Sequence, residues 1–211
     1  MITDDLITWL SAEPPNPALR PDLMAWTIAA AILGPLVVFL GILGTRYDLA
    51  LAWTNPVVPF KTGLPLITCA VSAALLMRLT RPEARVGLIP LGYVLPFGAA
   101  LALWIGAFFL RAPSERFAEV GLASLAECLG FIILLSIIPT VVALRTIAHG
   151  ASTHPGASAA LVGLTCATGA ATGYSLFCTR DNPLFFVTWY GVAILIVTLI
   201  AAWAGRRRLS W

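Results

Sequence analysis

The sequence predicts an all-α integral membrane protein, a bundle of six transmembrane helices preceded by a short amphipathic segment at the N-terminus. Of the 211 residues, 59% are hydrophobic and 11% are charged, whereas soluble domains have about 45–50% and about 25%. Uncharged apolar stretches of bilayer-crossing length recur along the chain. A soluble fold would leave such stretches facing water, whereas lipid solvates them.

Six uncharged stretches define the predicted spans, and each crossing needs about 17–25 residues. The stretches are residues 23–45, 62–77, 86–110, 128–144, 155–179 and 182–205. The second is the shortest, and it crosses the hydrocarbon only if Lys61 and Arg78 extend from its ends to the interface. The chain is thereby divided into an N-terminal segment (1–22), a transmembrane domain (23–205) and a basic tail (206–211).

The distribution of basic residues predicts the orientation. With six spans, both termini and the second and fourth loops share a side, which holds eight of the thirteen Lys and Arg residues, including Arg206, Arg207 and Arg208. The side with more Lys and Arg usually faces the cytoplasm, so we expect both termini there. The basic residues are spread along the chain and the net charge is only +3, which gives no support to direct binding of nucleic acid.

The N-terminal segment has the features of a short amphipathic helix. Thr3 is a good N-cap, Asp4 follows in the first turn, where the helix dipole favours negative charge, and Leu6 and Ile7 begin an apolar face. Proline residues end this helix at position 14. Two roles remain open, a helix lying on the membrane surface and a helix that docks in a groove of a cytoplasmic protein.

The sequence contains few groups that could carry catalysis, and it predicts neither an enzyme nor a cofactor. It has no CxxC, HExxH or glycine-rich phosphate loop. His149 and His154 share a loop without a neighbouring thiol or carboxylate, so no metal site is assigned there. Glu127 is placed at the outer edge of the fourth span, because residues 128–144 already cover about 26 Å as a helix. Proton- or ion-coupled transport is therefore disfavoured.

Two of the four cysteines are predicted at the same outer depth. Cys128 begins the fourth span and Cys178 lies at the outer end of the fifth, next to Arg180, whose charge can tune a thiolate. If these helices pack side by side, the pair can form a disulfide or capture a thiophilic metal ion. The alternative is two unrelated buried cysteines, which is the interpretation we give to Cys69 and Cys166.

Small residues in the fifth span favour close helix packing. Gly169 and Gly173 stand four residues apart, with Ala159 and Gly163 one or two turns earlier. Such spacing lets a neighbouring helix approach the backbone closely. Packing alone accounts for this pattern.

Three segments carry a resemblance to a known family. They are the opening Thr3-Asp4-Asp5-Leu6-Ile7, the start of the fourth span at Glu127-Cys128-Leu129, and Phe177-Cys178-Thr179-Arg180-Asp181-Asn182-Pro183-Leu184-Phe185 with Trp189-Tyr190 and a basic tail that ends in Trp. In these motifs, in length and in the number of spans, the chain resembles the NrsF family. These are bacterial membrane proteins, negative regulators of the extracytoplasmic-function sigma factor F.

The resemblance implies an anti-sigma factor in the bacterial inner membrane. Its cytoplasmic N-terminal segment would hold the sigma factor, with Thr3, Asp4, Leu6 and Ile7 matching the family's motif. Cys128 and Cys178 match a periplasm-facing pair that senses heavy-metal or oxidative stress. The proline-rich stretch 13–17 departs from the family's usual helix continuation, which leaves open how far the sigma-binding surface extends.

Two other classes compete with this interpretation. A membrane thiol oxidoreductase would also use periplasmic cysteines, but it would need a CxxC or a second exchanging pair and a quinone pocket. A small passive carrier or channel is compatible with the prolines in the spans, whereas the scarcity of polar residues there disfavours it.

Overall fold

A computed structural model describes residues 21–80, 87–117, 121–148 and 155–208, and within these ranges the chain is all-helical. Each predicted span corresponds to one long helix. The helices are α1 (Pro21–Leu43), α2 (Val57–Leu79), α3 (Val94–Leu110, entered through a 3₁₀ turn at Ile89–Tyr93), α4 (Leu122–Ala148), α5 (Pro155–Ser175) and α6 (Pro183–Arg208). A single helical turn, Leu49–Ala52, lies between α1 and α2.

Several helices extend beyond the uncharged stretches. Helix α2 begins at Val57, so Lys61 lies inside it and not at its end. Helix α4 begins at Leu122, so Glu127 lies in its second turn, where the side chain is exposed. A helix ends where its backbone hydrogen bonds end, and a charged side chain with room to reach solvent does not interrupt them. At the C-terminus, α6 continues to Arg208, so part of the predicted basic tail is helical.

The prediction of six transmembrane helices is wrong in its count. Among the described residues, five helical segments are long and apolar enough to cross a membrane, and α5 is not one of them. Its sequence, PGASAALVGLTCATGAATGYS, is dominated by alanine, glycine and hydroxyl residues, which lower its hydropathy. The reason lies in its position, because a helix enclosed by other helices does not need a lipid-facing surface.

Helix α5 is the centre of the bundle. Fourteen of its 21 residues are buried, and it packs against α1, α2, α4 and α6. Its threonine hydroxyls are satisfied within the helix: Thr165 donates to the carbonyl of Leu161 (2.8 Å) and Thr172 to that of Thr168 (2.8 Å). Polar side chains can therefore be buried here without unpaired groups.

The glycines of α5 allow close approach on two sides, which confirms the packing interpretation. A Cβ at Gly163 would lie 2.9 Å from Cα of Thr198 and 3.0 Å from the carbonyl oxygen of Val197, both backbone atoms of α6. On the other side, a Cβ at Gly169 would meet Ile32 at 2.8 Å, and one at Gly173 would collide with Leu36. Position 163 therefore requires glycine against the backbone of α6, whereas a larger residue at position 169 or 173 would force side chains of α1 to move.

Helix α3 lies at the periphery of the bundle. It packs against α2 and α6, with Trp104 Nε1 donating to Thr188 Oγ1 at 3.1 Å. Its outer face is apolar and exposed, with Leu95, Phe97 and Phe109 at 60% or more. Exposed apolar surface of this extent is typical of helices solvated by lipid.

The two ends of the bundle have separate cores. One core surrounds the start of α1 and contains Met24, Ile28, Ile147 and Val162. The other surrounds the end of α1 and contains Phe39, Cys128, Tyr174 and Cys178, with residues of α6. The N-terminal end of α1 and the two cysteines therefore lie at opposite ends, separated by about 34 Å of helix.

We expect Gly163→Ala to destabilise the chain by about 1–3 kcal/mol, because the added methyl group meets backbone that cannot turn away. Gly191→Ala in α6 is the matched control, since nothing lies within 4 Å of its added Cβ. The thermal unfolding midpoint in detergent measures both. Equal midpoints for the two variants would contradict the packing of α5 against α6.

Candidate thiol site

The structure brings Cys128 and Cys178 together. Their Sγ atoms lie 4.0 Å apart, and both are free thiols with 2% and 4% of their surface exposed. Cys128 lies in the second turn of α4, as expected from the sequence apart from the earlier start of the helix. Cys178 was placed on the fifth helix, but α5 ends at Ser175 and the cysteine lies in the connection 176–182 that leads to α6.

Local hydrogen bonds determine where α5 ends. Leu176 N donates to the carbonyl of Gly173, and Phe177 N and Cys178 N both donate to that of Tyr174 (3.0 Å each). This tightening of the last turn satisfies carbonyls that a helix end leaves unpaired. At the other side of the connection, Asn182 Oδ1 accepts from Leu184 N (3.1 Å) and caps α6 ahead of Pro183.

Aromatic rings surround the two thiols. Tyr174 donates a hydrogen bond to Cys128 Sγ at 3.4 Å. The Phe39 ring of α1 lies 5.2 Å from the rings of Phe131 and Phe177, and the Phe131 and Tyr174 rings lie 5.9 Å apart. We call Phe39, Phe131, Tyr174 and Phe177 the aromatic cluster. It joins α1, α4 and the end of α5 around the thiols, so it excludes water from most of the site.

A cluster of four charged residues holds the 176–182 connection. We call Arg46, Asp48, Lys61 and Asp181 the charge cluster. Arg46 pairs with both carboxylates, at 2.7 Å to Asp48 and 2.9 Å to Asp181. Lys61 reaches Asp181 at 3.1 Å and also donates to main-chain carbonyls of the connection. Two cations and two anions balance, as buried charges require.

Lys61 differs from its predicted role. Its side chain was expected to extend from a helix end to the membrane interface, but it is 0% exposed and directed into the protein. Arg46 is also buried, and its backbone N–H donates to the carbonyl of Leu176 at 3.0 Å. Both cations are thus used to hold the connection that carries Cys178. The sequence shows that charged residues border the spans on this side. Which of them pair with one another depends on the fold and could not be read from the sequence.

The electrostatics favour ionised groups at this end of the bundle. The hydrogen bond with Asp48 raises the pKa of Arg46, and the same contact lowers the pKa of Asp48. The pKa of Cys178 lies well below its ordinary value, chiefly because the Cys128 thiol is hydrogen-bonded to it, with help from the Lys61 charge and the backbone N–H of Arg180. The Arg180 side chain, which was predicted to tune the thiolate, is exposed. Cys178 therefore has the thiolate character that reactive cysteines need.

A pocket of about 310 Å³ leads to the thiol pair. Its lining includes Ser124, Glu127, Tyr174 and Arg180 as well as both cysteines. Its walls are more polar than those of the apolar clefts elsewhere between the helices. The thiol pair thus borders a pocket, although each thiol is itself almost fully buried.

The other candidate residues do not join this site. Cys69 Sγ donates to the carbonyl of Thr165 at 3.3 Å, and Cys166 is fully buried in the opposite core. Within the described ranges, no three His, Cys, Asp or Glu residues are grouped to hold a metal ion. The predicted sigma-binding residues Thr3, Asp4, Leu6 and Ile7 and the histidines His149 and His154 lie outside the described residues.

Fold and site together define a class: a helical bundle with lipid-compatible surfaces and a buried thiol pair at the end remote from the start of α1. The family model described as "NrsF: Negative regulator of sigma F" matches residues 10–211. The chain belongs to the NrsF family. This family consists of regulators, which agrees with the prediction of a protein that is not an enzyme.

Two curated relatives align over the whole length of both chains. The probable anti-sigma-F factor NrsF of Azospira oryzae is 32% identical over 222 residues. The anti-sigma-F factor NrsF of Caulobacter vibrioides is 31% identical over 220 residues. No solved structure matches the chain. The predicted resemblance is confirmed, although the family model begins after the Thr3-Asp4-Asp5-Leu6-Ile7 motif.

We expect alkylation of Cys178 by iodoacetamide to stay nearly constant when the pH falls, because its lowered pKa keeps it ionised. A free thiol slows roughly 50-fold between about pH 8.5 and 6.5, since its thiolate fraction falls tenfold per unit below its pKa. Mass spectrometry of a chain with Cys69 and Cys166 replaced by Ala measures the rate at each site. In Cys128→Ala, which removes the main cause, the Cys178 profile should approach that of a free thiol. The same profile in both chains would contradict the assigned cause.

Proposed function

We propose that the chain is a membrane anti-sigma factor that binds an extracytoplasmic-function sigma factor through its cytoplasmic N-terminal segment and releases it when the periplasmic thiol pair reacts. Oxidants and thiophilic heavy-metal ions are the proposed stimuli. The observation that carries the proposal is the Cys128–Cys178 pair, 4.0 Å apart and at the bundle end remote from the start of α1. The names of both curated relatives support the regulatory class.

The proposed location is the bacterial inner membrane with both termini in the cytoplasm. Five apolar helical segments support insertion, and the two termini share a side if the enclosed helix α5 crosses together with them. The bundle end that holds the start of α1 also holds Arg78, Arg145, Arg206 and Arg207 at the ends of α2, α4 and α6. At the opposite end Arg46 and Lys61 are neutralised by Asp48 and Asp181. Arginines at the ends of three helices support a cytoplasmic position for the bundle end that holds the start of α1.

Helix α1 is the proposed connection between the thiol pair and the N-terminal segment. Its last turns carry Phe39, which belongs to the aromatic cluster, and lead to Arg46, which binds Asp181 beside Cys178. Its first residue, Pro21, directly follows the N-terminal segment. A change at the thiols therefore acts first on the attachments of α1, and α1 extends to the segment that would hold the sigma factor. A relay through α4 and α5 alone would leave out Cys178, because this residue lies on the connection after α5.

The two sulfur atoms must move towards each other before a disulfide can form. A disulfide has a sulfur–sulfur distance of about 2.05 Å, against 4.0 Å in the reduced pair. The two thiols lose two protons and two electrons to the oxidant, and the S–S bond forms between α4 and the connection. Moving binding from nearly complete to nearly absent requires about 5 kcal/mol of differential stabilisation. A disulfide or a bridging thiophilic metal supplies energies of this order.

Removing residues 1–10 is expected to abolish co-purification of the sigma factor, because the proposed binding motif Thr3, Asp4, Leu6 and Ile7 is lost. The described helices, the first of which starts at Pro21, are left intact, so the truncated chain should still be extracted from membranes in normal amount. Pull-down of the sigma F of the same cell with both chains measures this. Equal retention of the sigma factor by the truncated chain would refute the assignment of the N-terminal segment.

The double variant Cys128→Ser, Cys178→Ser is expected to hold the sigma factor under cadmium or diamide stress, whereas the unaltered chain releases it. A serine hydroxyl forms neither a disulfide nor a strong bond to a thiophilic ion. Cys69→Ser, Cys166→Ser is the matched control, and it should release normally. The measurement is sigma factor bound in membranes before and after treatment. Release from the first variant would rule out the thiol pair as the sensor.

A further inference from the structure

Lys61 is the only lysine of the chain, and the other twelve basic residues are arginines. Its ammonium group is completely enclosed, with 0% of the side chain exposed. Nζ donates to the carbonyl oxygen of Cys178 (2.7 Å), to that of Arg180 (2.7 Å) and to Asp181 Oδ1 (3.1 Å). An ammonium has three N–H donors. All three are used, and two of them hold the main chain of the connection that carries Cys178.

The carbonyls of Cys178 and Arg180 are the points at which Lys61 holds the backbone beside the Cys178 thiol. Residues 176–182 have no helix of their own, so the direction of the Cys178 side chain depends on what fixes its backbone. Arg46 contributes less directly, since its nitrogen lies 3.5 Å from the Cys178 carbonyl and acts mainly through Asp181. Without Lys61, the Cys178 carbonyl would retain only that long contact. Buried carbonyls without partners are unfavourable, so the connection would rearrange to pair them.

We propose that Lys61 is the positioning residue of the thiol pair: it holds the carbonyls of Cys178 and Arg180, keeps Cys178 Sγ facing Cys128 Sγ, and so sets how fast the two thiols join. The role of this rate in signalling rests on the proposed function. The position of Lys61 within α2 also links a third helix to the site, since Cys128 belongs to α4 and Cys178 follows α5.

The reaction that tests this role is disulfide exchange with oxidised glutathione. The Cys178 thiolate attacks one glutathione sulfur, and the other glutathione leaves as a thiolate. Cys128 then loses its proton and attacks the sulfur of Cys178, releasing the second glutathione. The S–S bond of glutathione is broken, the Cys128–Cys178 bond is formed, and two glutathione molecules are reduced. The second step depends on the mutual position of the two protein sulfurs, which is the quantity assigned to Lys61.

The experiment compares full-length chains with Cys69 and Cys166 replaced by Ala, purified in detergent, and follows the Cys128–Cys178 disulfide by mass spectrometry. Lys61→Met should slow its formation about tenfold or more, the equivalent of losing one hydrogen bond to a charged group. Lys61→Arg keeps donors for both carbonyls and should recover most of the rate. Arg78→Met, an exposed cation on the same helix, is the matched control and should react like the unaltered chain.

Disulfide formation in Lys61→Met at the unaltered rate overturns the assignment. Equal slowing in Lys61→Met and Lys61→Arg, with helix content and elution volume preserved, also overturns it, because the site would then require the shape of lysine and not its donated hydrogen bonds. If Lys61→Met does not fold, Lys61→Gln replaces it: slowing supports the assignment and an unaltered rate overturns it.

The readout contains no sigma factor, so the two proposals can fail separately. If Cys128 and Cys178 form a disulfide and the sigma factor stays bound, the proposed function fails while the role of Lys61 stands. If Lys61→Met joins its thiols normally and releases the sigma factor normally, only the role of Lys61 fails.

Discussion

The charge cluster decides where the thiols lie, because the chain segment that carries Cys178 has no regular structure to fix it. Lys61 and Arg46 approach this segment from α2 and from the end of α1, and Asp181 on the segment binds both. Taking these charges out of water is costly, and it is offset only when each charge is paired and its hydrogen bonds are satisfied. The cluster meets this condition, since its two cations and two carboxylates balance and the lysine uses its remaining donors on main-chain carbonyls. A low-dielectric surrounding then strengthens each contact.

The central position of α5 makes this arrangement possible. Its glycines let α1 and α6 approach its backbone, and its threonines bond within the helix, so four neighbours can surround it. Larger side chains would push α1 away from α5 and thereby separate Phe39 from Tyr174 and Arg46 from Asp181. The feature that lowers the hydropathy of α5 is thus the same feature that brings the two halves of the thiol site together.

Much of the helical framework could be predicted from the sequence, because long uncharged stretches constrain the chain strongly. Such stretches identified all six helices, with α1 placed to within two residues at each end. The common depth of Cys128 and Cys178 was also predictable, since both follow from helix counting. The position of Cys178 beyond α5 was not, because the end of that helix depends on local hydrogen bonds to Gly173 and Tyr174. Nor was the buried state of Lys61, since a lysine bordering an apolar run resembles an interfacial residue until its partners from other elements are known.

The arrangement of α1 explains how a local event at two sulfurs can have an effect at the other end of the bundle. Helix α1 contacts α4 and α5, but an apolar groove of about 490 Å³ separates much of it from α2. At the thiol end it is held by Phe39 in the aromatic cluster and, just beyond its last turn, by Arg46 in the charge cluster. Both attachments depend on residues next to Cys178, namely Phe177 and Asp181. In the proposed function, closing the sulfurs from 4.0 Å to bonding distance would move the 176–182 connection, and the same displacement would alter both attachments of α1. The proposed function requires this displacement to reach the N-terminal end of α1 along a helix that contains Pro35.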